Sequence, residues 1–156
     1  MAKRDKVTYA AGSGRTVTET CVNLTFSVGV GGDNGPADIM LVQTLFNYIG
    51  VDRRTPISPI LGIPARDMPA ITGRMDQKTQ AAILAFQRTN QKRLLAIDGK
   101  IESAKYEGRV ISNLGGRMMT ITWLDFKARD EALMRGQPDH LAALVRLEPR
   151  LASWLA

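Results

Sequence analysis

One segment of the chain, residues 77–90, restricts the fold more than any other. Its expected core positions recur at three- and four-residue steps, which places them on one face of a helix. These positions are Thr79, Ala82, Ile83 and Phe86. Asp76 precedes them where an N-cap residue belongs. The spacing predicts a helix that begins after Asp76, ends near Asn90 and contributes this face to a hydrophobic core.

Residues 36–50 predict a second helix. Pro36 suits the first helical position, Asp38 favours the positive end of the helix dipole, and Gly50 stands where a left-handed C-cap belongs. Two apolar stripes follow from the spacing, one through Ile39, Val42, Phe46 and Ile49 and one through Leu41, Leu45 and Tyr48. Because apolar residues cover two faces, we expect this helix to contact other elements on both sides.

Both ends of the chain predict extensions to this helical centre. Residues 22–28 alternate between apolar and polar, which is typical of a half-buried strand, and the upstream KVTYA can pair with it through the turn AGSG. A third helix is predicted from near Gly116 to Met134, and residues 138–156 have an amphipathic helical pattern. We therefore divide the chain into three parts: an N-terminal β-hairpin arm (1–30), a helical domain (31–135) and a C-terminal helical tail (136–156).

Composition excludes several classes of function. No stretch approaches the roughly 20 apolar residues that a membrane-spanning helix needs. Cys21 is the only cysteine and His140 the only histidine, so the sequence lacks the ligands of a zinc peptidase and the cysteines of a disulfide framework. A nucleophile made of these two residues has no recognisable catalytic context, and Asp98, Glu102 and Glu107 are expected to be solvated rather than paired for glycoside cleavage. We expect no enzymatic activity, no metal and no cofactor.

The net charge favours polyanionic partners. The chain has 21 Lys and Arg against 15 Asp and Glu, a net charge of +6, which attracts nucleic acid, anionic lipid and acidic wall polymers alike. The basic residues are dispersed, and the stretch RTNQKR has neither interleaved aromatic residues nor a recognised reading helix. Nucleic acid is therefore the less favoured partner.

Three stretches resemble the type 1 family of peptidoglycan-binding domains, over about residues 36–126. ADIMLVQTLFNYIG is similar to the first helix of the family, through Val42, Gln43, Leu45, Phe46 and Gly50. ITGRMDQKTQAAILAFQRTN is similar to its most diagnostic stretch, through Thr79, Ala82, Ile83, Phe86 and Gln87. NLGGRMMTITWL resembles the start of its last helix. The Asp-Gly of the family's first turn is Thr72-Gly73 here, and either IDGKI or YEGRV can stand for its later glycine turn.

The resemblance implies a fold and a function. The implied fold is mainly α: a three-helix peptidoglycan-binding-domain-like bundle with an N-terminal β-hairpin and a C-terminal helical tail. The implied function is non-catalytic binding of the glycan or the peptide stem of bacterial cell-wall peptidoglycan. The alternative is a protein-interaction or adaptor component of a secretion or phage-like assembly, in which the tail docks a protein partner.

The expected ligand-binding residues combine cations, an amide, a carboxylate and an aromatic ring. They are Tyr48, Arg53, Arg54, Gln87, Arg88 and Asp98. The three arginines are expected to pair stem carboxylates, while Tyr48 either offers a flat face to a sugar ring or belongs to the core. Gln43 and Gln87 lie beside apolar faces, so each amide is expected to bond the backbone of a turn, with contact to a ligand as the alternative.

The basic N-terminus is not followed by an apolar signal segment. We therefore expect a chain that is cytoplasmic as made. To meet a ligand in the periplasm or cell envelope, it would use a non-classical export route.

Overall fold

The computed structural model describes residues 2–11, 14–50 and 61–155. The helices are α1 (Pro36–Gly50), α2 (Gln77–Thr89), α3 (Thr120–Met134), α4 (His140–Leu147) and α5 (Ala152–Leu155), with short 3₁₀ turns at Ala65–Asp67 and Pro149–Leu151. The strands are β1 (Lys3–Ala11), β2 (Arg15–Asn23), β3 (Val28–Gly29), β4 (Lys100–Ile101), β5 (Lys105–Tyr106), β6 (Arg109–Val110), β7 (Asn113–Leu114) and β8 (Arg117–Met118). They pair antiparallel, in the order β1–β2, β3–β4, β5–β6 and β7–β8.

The prediction of a mainly α three-helix bundle is wrong. Over the described residues the fold is mixed α/β, with 44% of these residues helical and 21% in four small two-stranded sheets. The difference arises mainly between α2 and α3, where the sequence indicated only turns and where five of the short strands lie. Glu107 and Gly108 link β5 to β6, and Gly115 and Gly116 link β7 to β8, all at positive φ. A two-residue turn with positive φ at both residues is the common connection of a β-hairpin, so each turn lets its flanking residues pair as strands.

The predicted helices of the central region are confirmed. α1 begins at Pro36 as expected, but Gly50 is its last helical residue and is not at the positive φ of the predicted left-handed C-cap. α2 begins after Asp76, whose carboxylate accepts the Thr79 N–H at 2.7 Å. Phe46 of α1 and Phe86 of α2 pack with ring centroids 6.0 Å apart. α3 begins four residues later than the predicted start near Gly116, because that glycine belongs to the β7–β8 turn.

The predicted hairpin is present, but its second strand is shorter than the alternation indicated. β2 ends at Asn23. Thr25 and Phe26, which the alternation placed in the strand, form a bend and have exposed side chains. The buried carboxylate of Asp38 accepts the N–H groups of Thr25 and Phe26, at 3.0 and 3.3 Å. Phe26 is 49% exposed as a result.

A hydrophobic cluster joins the arm, the central helices and the tail. It includes Val22 of the arm, Phe86 of α2, and Leu144, Leu151 and Leu155 of the tail. The apolar face of the tail therefore packs against its own chain. None of the described helices combines the length and the apolar composition needed to cross a membrane.

Candidate functional site

Gln43 of α1 holds the turn at residues 72–74. Its Oε1 accepts the N–H groups of Thr72 and Gly73, each at 2.9 Å. Its Nε2 donates to the carbonyl of Arg74 at 2.9 Å and to the hydroxyl of Thr79 at 3.0 Å. The amide is fully buried, so its hydrogen bonds replace those that water would make.

Gln87 of α2 holds the turn at residues 98–100. Its Oε1 accepts the Gly99 N–H at 2.8 Å, and its Nε2 donates to the Lys100 carbonyl at 2.9 Å and to Asp98 Oδ1 at 3.4 Å. Asp98 in turn accepts the Lys100 N–H at 2.9 Å. The prediction that each glutamine bonds a turn is confirmed. Gln87 is completely buried and faces this turn, so its amide is not open to a ligand.

Tyr48 lies against the end of α3 rather than on an open surface. Its hydroxyl donates to Gln137 Oε1 at 2.9 Å, and the Arg135 guanidinium covers its ring at 4.7 Å from the centroid. Glu131 fixes that guanidinium at 2.6 Å. The ring is 4% exposed, and burial is the main cause that raises the pKa of Tyr48. Of the two roles expected for Tyr48, its burial agrees with the core role.

The other expected ligand residues are divided among different places. Asp98 is exposed beside the turn that Gln87 holds, and a shallow apolar depression lined by Val30, Ala81 and Leu84 adjoins it. Arg88 is exposed in the last turn of α2. Arg53 and Arg54 lie outside the described residues. Within the described chain, the structure thus brings together Gln87 and Asp98, and separates them from Tyr48.

A buried polar cluster joins the arm to α3 and the tail. Asp125 of α3 is fully buried, and its Oδ1 contacts His140 Nε2 at 2.9 Å. Its Oδ2 pairs with Arg129 at 3.3 Å, and Arg129 also pairs with Glu19. The same guanidinium lies 3.6 Å from the Cys21 sulfur.

This cluster is built for cohesion rather than for nucleophilic catalysis. Burial, with the Asp125 carboxylate beside the sulfur, raises the pKa of the Cys21 thiol. A nucleophilic cysteine needs the opposite shift, because the thiolate is the reactive form. His140 contacts Asp125 rather than the sulfur, so the carboxylate stands where an activating imidazole would be required. In the described part of the chain, no group of three or more His, Cys, Asp and Glu side chains is arranged to hold a metal ion.

A cleft between the end of α2 and the outer side of α3 offers a different chemistry. Its volume is about 350 Å³, and it is lined by Thr89, Asn90, Gln91, Lys92, Arg93, Trp123 and Lys127. We call it the Trp123 cleft. Trp123 is held in place because its indole N–H donates to Asn90 Oδ1 at 2.9 Å. The rigid aromatic wall thus faces a turn that has two consecutive cations.

The electrostatics of the Trp123 cleft favour an anion. Lys92 and Arg93 are exposed, and no ion pair between described residues involves either of them. Lys127 lies over the indole with its Nζ 4.4 Å from the ring centroid, and it also pairs with Asp130 at 3.0 Å. The lining residues include three cations and no carboxylate. A carboxylate or phosphate entering the cleft therefore meets positive charge and amide groups together.

Sequence reasoning missed this cleft. Arg88, which was expected to bind a ligand, directly precedes its first lining residue, Thr89. Trp123 and Lys127 are four residues apart in a predicted helix, a spacing that puts them on one face and that could have indicated the pair. Comparisons with protein-family models, with curated proteins and with solved structures found no match to this chain.

Proposed function

We propose that the chain is a non-catalytic module that binds bacterial cell-wall peptidoglycan, and that the Trp123 cleft receives carboxylates of the peptide stem. The observation that carries the proposal is the pairing of exposed Lys92 and Arg93 with a fixed indole in one cleft of about 350 Å³. The resemblance of residues 36–126 to peptidoglycan-binding domains supports the same ligand class.

The cleft fits the peptide stem better than the sugar backbone. Charge-assisted hydrogen bonds from arginine and lysine are the strongest ones that a carboxylate can receive from side chains. One face of the Trp123 ring is already covered by Lys127, so the indole serves as a wall of the cleft more readily than as a stacking platform for a sugar ring. This assignment replaces Tyr48 and Gln87, whose functional groups are engaged inside the protein.

Binding without catalysis agrees with the chemistry of the buried groups. The reactive side chains that could have formed a nucleophilic pair, Cys21 and His140, both contact Asp125, and the thiol is held in its protonated form. The packing of the tail removes the argument that its apolar face needs a protein partner.

The test is retention of the protein on purified peptidoglycan sacculi, with a double variant, Lys92→Glu and Arg93→Glu. Each charged hydrogen bond contributes about 1.5–3 kcal/mol, so losing both is expected to weaken binding by at least about a hundredfold. The matched control is the pair Lys105→Glu and Arg109→Glu on the β5–β6 hairpin, which changes the net charge equally and leaves the cleft intact.

Two further probes separate ligand classes. A soluble muropeptide with its stem should compete with the sacculi, whereas a neutral N-acetylglucosamine oligomer should not. Equal retention of both double variants, or a wild-type protein that prefers a DNA duplex to sacculi and loses it steeply with salt, would refute the proposal.

A further inference from the structure

Among the residues that the structure describes, the backbone groups on the outer edge of β2 are hydrogen-bonded to side chains of α3 near the body of the protein but not farther out. Near the body of the protein, the Val22 N–H donates to Asp125 Oδ1 at 3.2 Å, and Arg129 donates to the Thr20 carbonyl at 3.1 Å. Both bonds point away from β1, so the backbone groups of these two strand residues face outward. In an antiparallel pair this orientation repeats at every second residue. Residues 18 and 16 of β2 therefore also face outward.

An independent contact supports this orientation. Thr8 and Thr18 are opposite each other in the register, and their hydroxyl oxygens lie 2.9 Å apart. Such closeness is typical of the pairs that do not exchange backbone hydrogen bonds, whose Cα atoms approach to about 4.5 Å. Thr16 and Thr18 are exposed, and within the described chain no hydrogen bond from outside the hairpin reaches their backbone.

The two edges of the hairpin are protected differently. On β1, the outward positions near the body of the protein are the exposed cations Arg4 and Lys6, which discourage the addition of another strand, and the distal ones are Thr8 and Ala10. On the distal outward positions of β2, the side chains are Thr16 and Thr18, which are β-branched and uncharged and favour a strand. The β2 edge at residues 15–19 therefore has no charged residue at its outward positions.

We propose that residues 15–19 of β2 pair antiparallel with the same residues of a second copy of the chain, about a two-fold axis at Val17. In this register Thr16 lies opposite Thr18 of the partner subunit, and their outward groups make about four backbone hydrogen bonds across the axis. The pairing ends at Thr20, because Arg129 already occupies that carbonyl.

Charge selects this register. With the axis at Val17, Arg15 lies opposite Glu19 of the partner subunit, so each end of the paired segment brings a cation to a carboxylate. Glu19 already pairs with Arg129 of its own chain and gains a second cation. The product is a four-stranded sheet, which is more stable than an isolated two-stranded hairpin. Because the interface is small, the dimer is expected to be weak and to form at high protein concentration.

Disulfide trapping tests the axis directly. In the proposed dimer the two Val17 Cα atoms are about 4.5 Å apart, within the range that a disulfide spans. Val17→Cys is expected to form a covalent dimer at least about ten times faster than Thr18→Cys, whose symmetry mate is displaced along the strand beyond disulfide reach. The native Cys21 does not interfere, because it is buried and its raised pKa keeps the thiol protonated.

Sedimentation over a range of concentrations tests the hydrogen bonds. Thr18→Pro removes an N–H that the hairpin itself does not use, so it should weaken dimerisation by about tenfold or more. Thr18→Val keeps the N–H and should leave dimerisation unchanged. A wild-type protein that stays monomeric at millimolar concentration, a dimer that survives Thr18→Pro, or equal trapping of the two cysteine variants would each overturn the proposal. If Thr18→Pro does not fold, the comparison of the cysteine variants decides.

Discussion

The turn at residues 72–74 and the turn at residues 98–100 are held by the same device, a buried glutamine amide, but to different degrees. Gln43 makes all its hydrogen bonds to the first turn and to Thr79 at 3.0 Å or less. Gln87 makes two short bonds to the second turn and reaches Asp98 and Thr120 only at 3.4 and 3.5 Å. The first amide is fully satisfied, and the second retains longer contacts to side chains.

The first turn also has less free space around its glycine than the second turn has. A Cβ added to Gly73 would lie 3.0 Å from the Pro36 carbonyl oxygen, which is backbone. A Cβ added to Gly99 would first meet a methyl group of Val30 at 3.5 Å, an ordinary contact with an exposed side chain. Adding a side chain to the turn glycine should therefore cost more in the first turn, which is enclosed by backbone of α1, than in the second, which borders the surface.

The largest effects are expected from removing the two amides. Gln43→Ala leaves two turn N–H groups and a carbonyl without partners, and each buried unsatisfied group costs about 1–3 kcal/mol. We expect a loss of about 4 kcal/mol in the free energy of unfolding for Gln43→Ala and about 2–3 kcal/mol for Gln87→Ala. Urea unfolding followed by circular dichroism measures both.

An exposed glutamine of α2, the helix that contains Gln87, provides the control for these variants. Gln80→Ala removes an exposed amide of α2 and should change stability by less than about 0.5 kcal/mol. Equal losses for Gln43→Ala and Gln87→Ala would show that the two turns are held alike, contrary to the hydrogen-bond distances.

The next largest effects are expected at the two turn glycines. Gly73 and Gly99 have φ of +71° and +75°, so alanine at either costs about 1 kcal/mol for the left-handed backbone. Gly73→Ala must also displace the Pro36 carbonyl, and we expect about 2 kcal/mol in total. Gly136, at φ +66° with no atom within 4 Å of an added Cβ, isolates the backbone cost. In thermal unfolding, the loss of stability should be similar for Gly99→Ala and Gly136→Ala and clearly larger for Gly73→Ala. Similar losses of stability for all three variants would contradict the difference in enclosure.

The N-terminal hairpin and the helices that hold both turns could be predicted from the sequence, and the three smaller sheets could not. Spacing alone located the buried faces of α1 and α2, and the rule that buried amides need partners predicted what Gln43 and Gln87 do. The missed strands β3 to β8 are two residues long, too short for any alternation to appear. The pairing of β5 with β6 depends on a positive φ at Glu107, a residue type that does not indicate one, and the pairing of β3 with β4 joins residues about 70 positions apart.

The candidate site was predicted less well, because its parts meet only in space. The sequence indicated cations near the end of α2, and Arg88 does precede the Trp123 cleft. It did not indicate that Asn90 fixes the indole of a residue 33 positions away. Nor did it indicate that Arg135 covers the ring of Tyr48, since that contact joins the first helix to the end of the third.

The smallest effect is expected at the start of the helix that follows the first turn. The first turn passes directly into α2, whose N-cap Asp76 accepts both the N–H and the hydroxyl of Thr79, at 2.7 and 2.6 Å. The second turn leads instead into β4, and α3, the next helix along the chain, has Met119 at its N-cap and no side-chain cap bond. The bonds from Thr79 are the main cause that lowers the pKa of Asp76 below its ordinary value of 3.8. A lowered folded-state pKa stabilises the protein above the unfolded pKa, and the contribution is lost as the pH falls through the folded one.

Asp76→Asn keeps a good capping oxygen and removes the charge. We expect it to cost about 0.5 kcal/mol at pH 7, and the difference from wild type should shrink as the pH falls below 3.8 and the native carboxylate becomes protonated. Urea unfolding at neutral pH and at successively lower pH values measures this. Asp76→Ala, which has no cap, should remain less stable than Asp76→Asn throughout. A difference between wild type and Asp76→Asn that does not change on acidification would mean that the cap acts through its geometry alone, and that the first turn owes nothing to the charge of the residue that starts its helix.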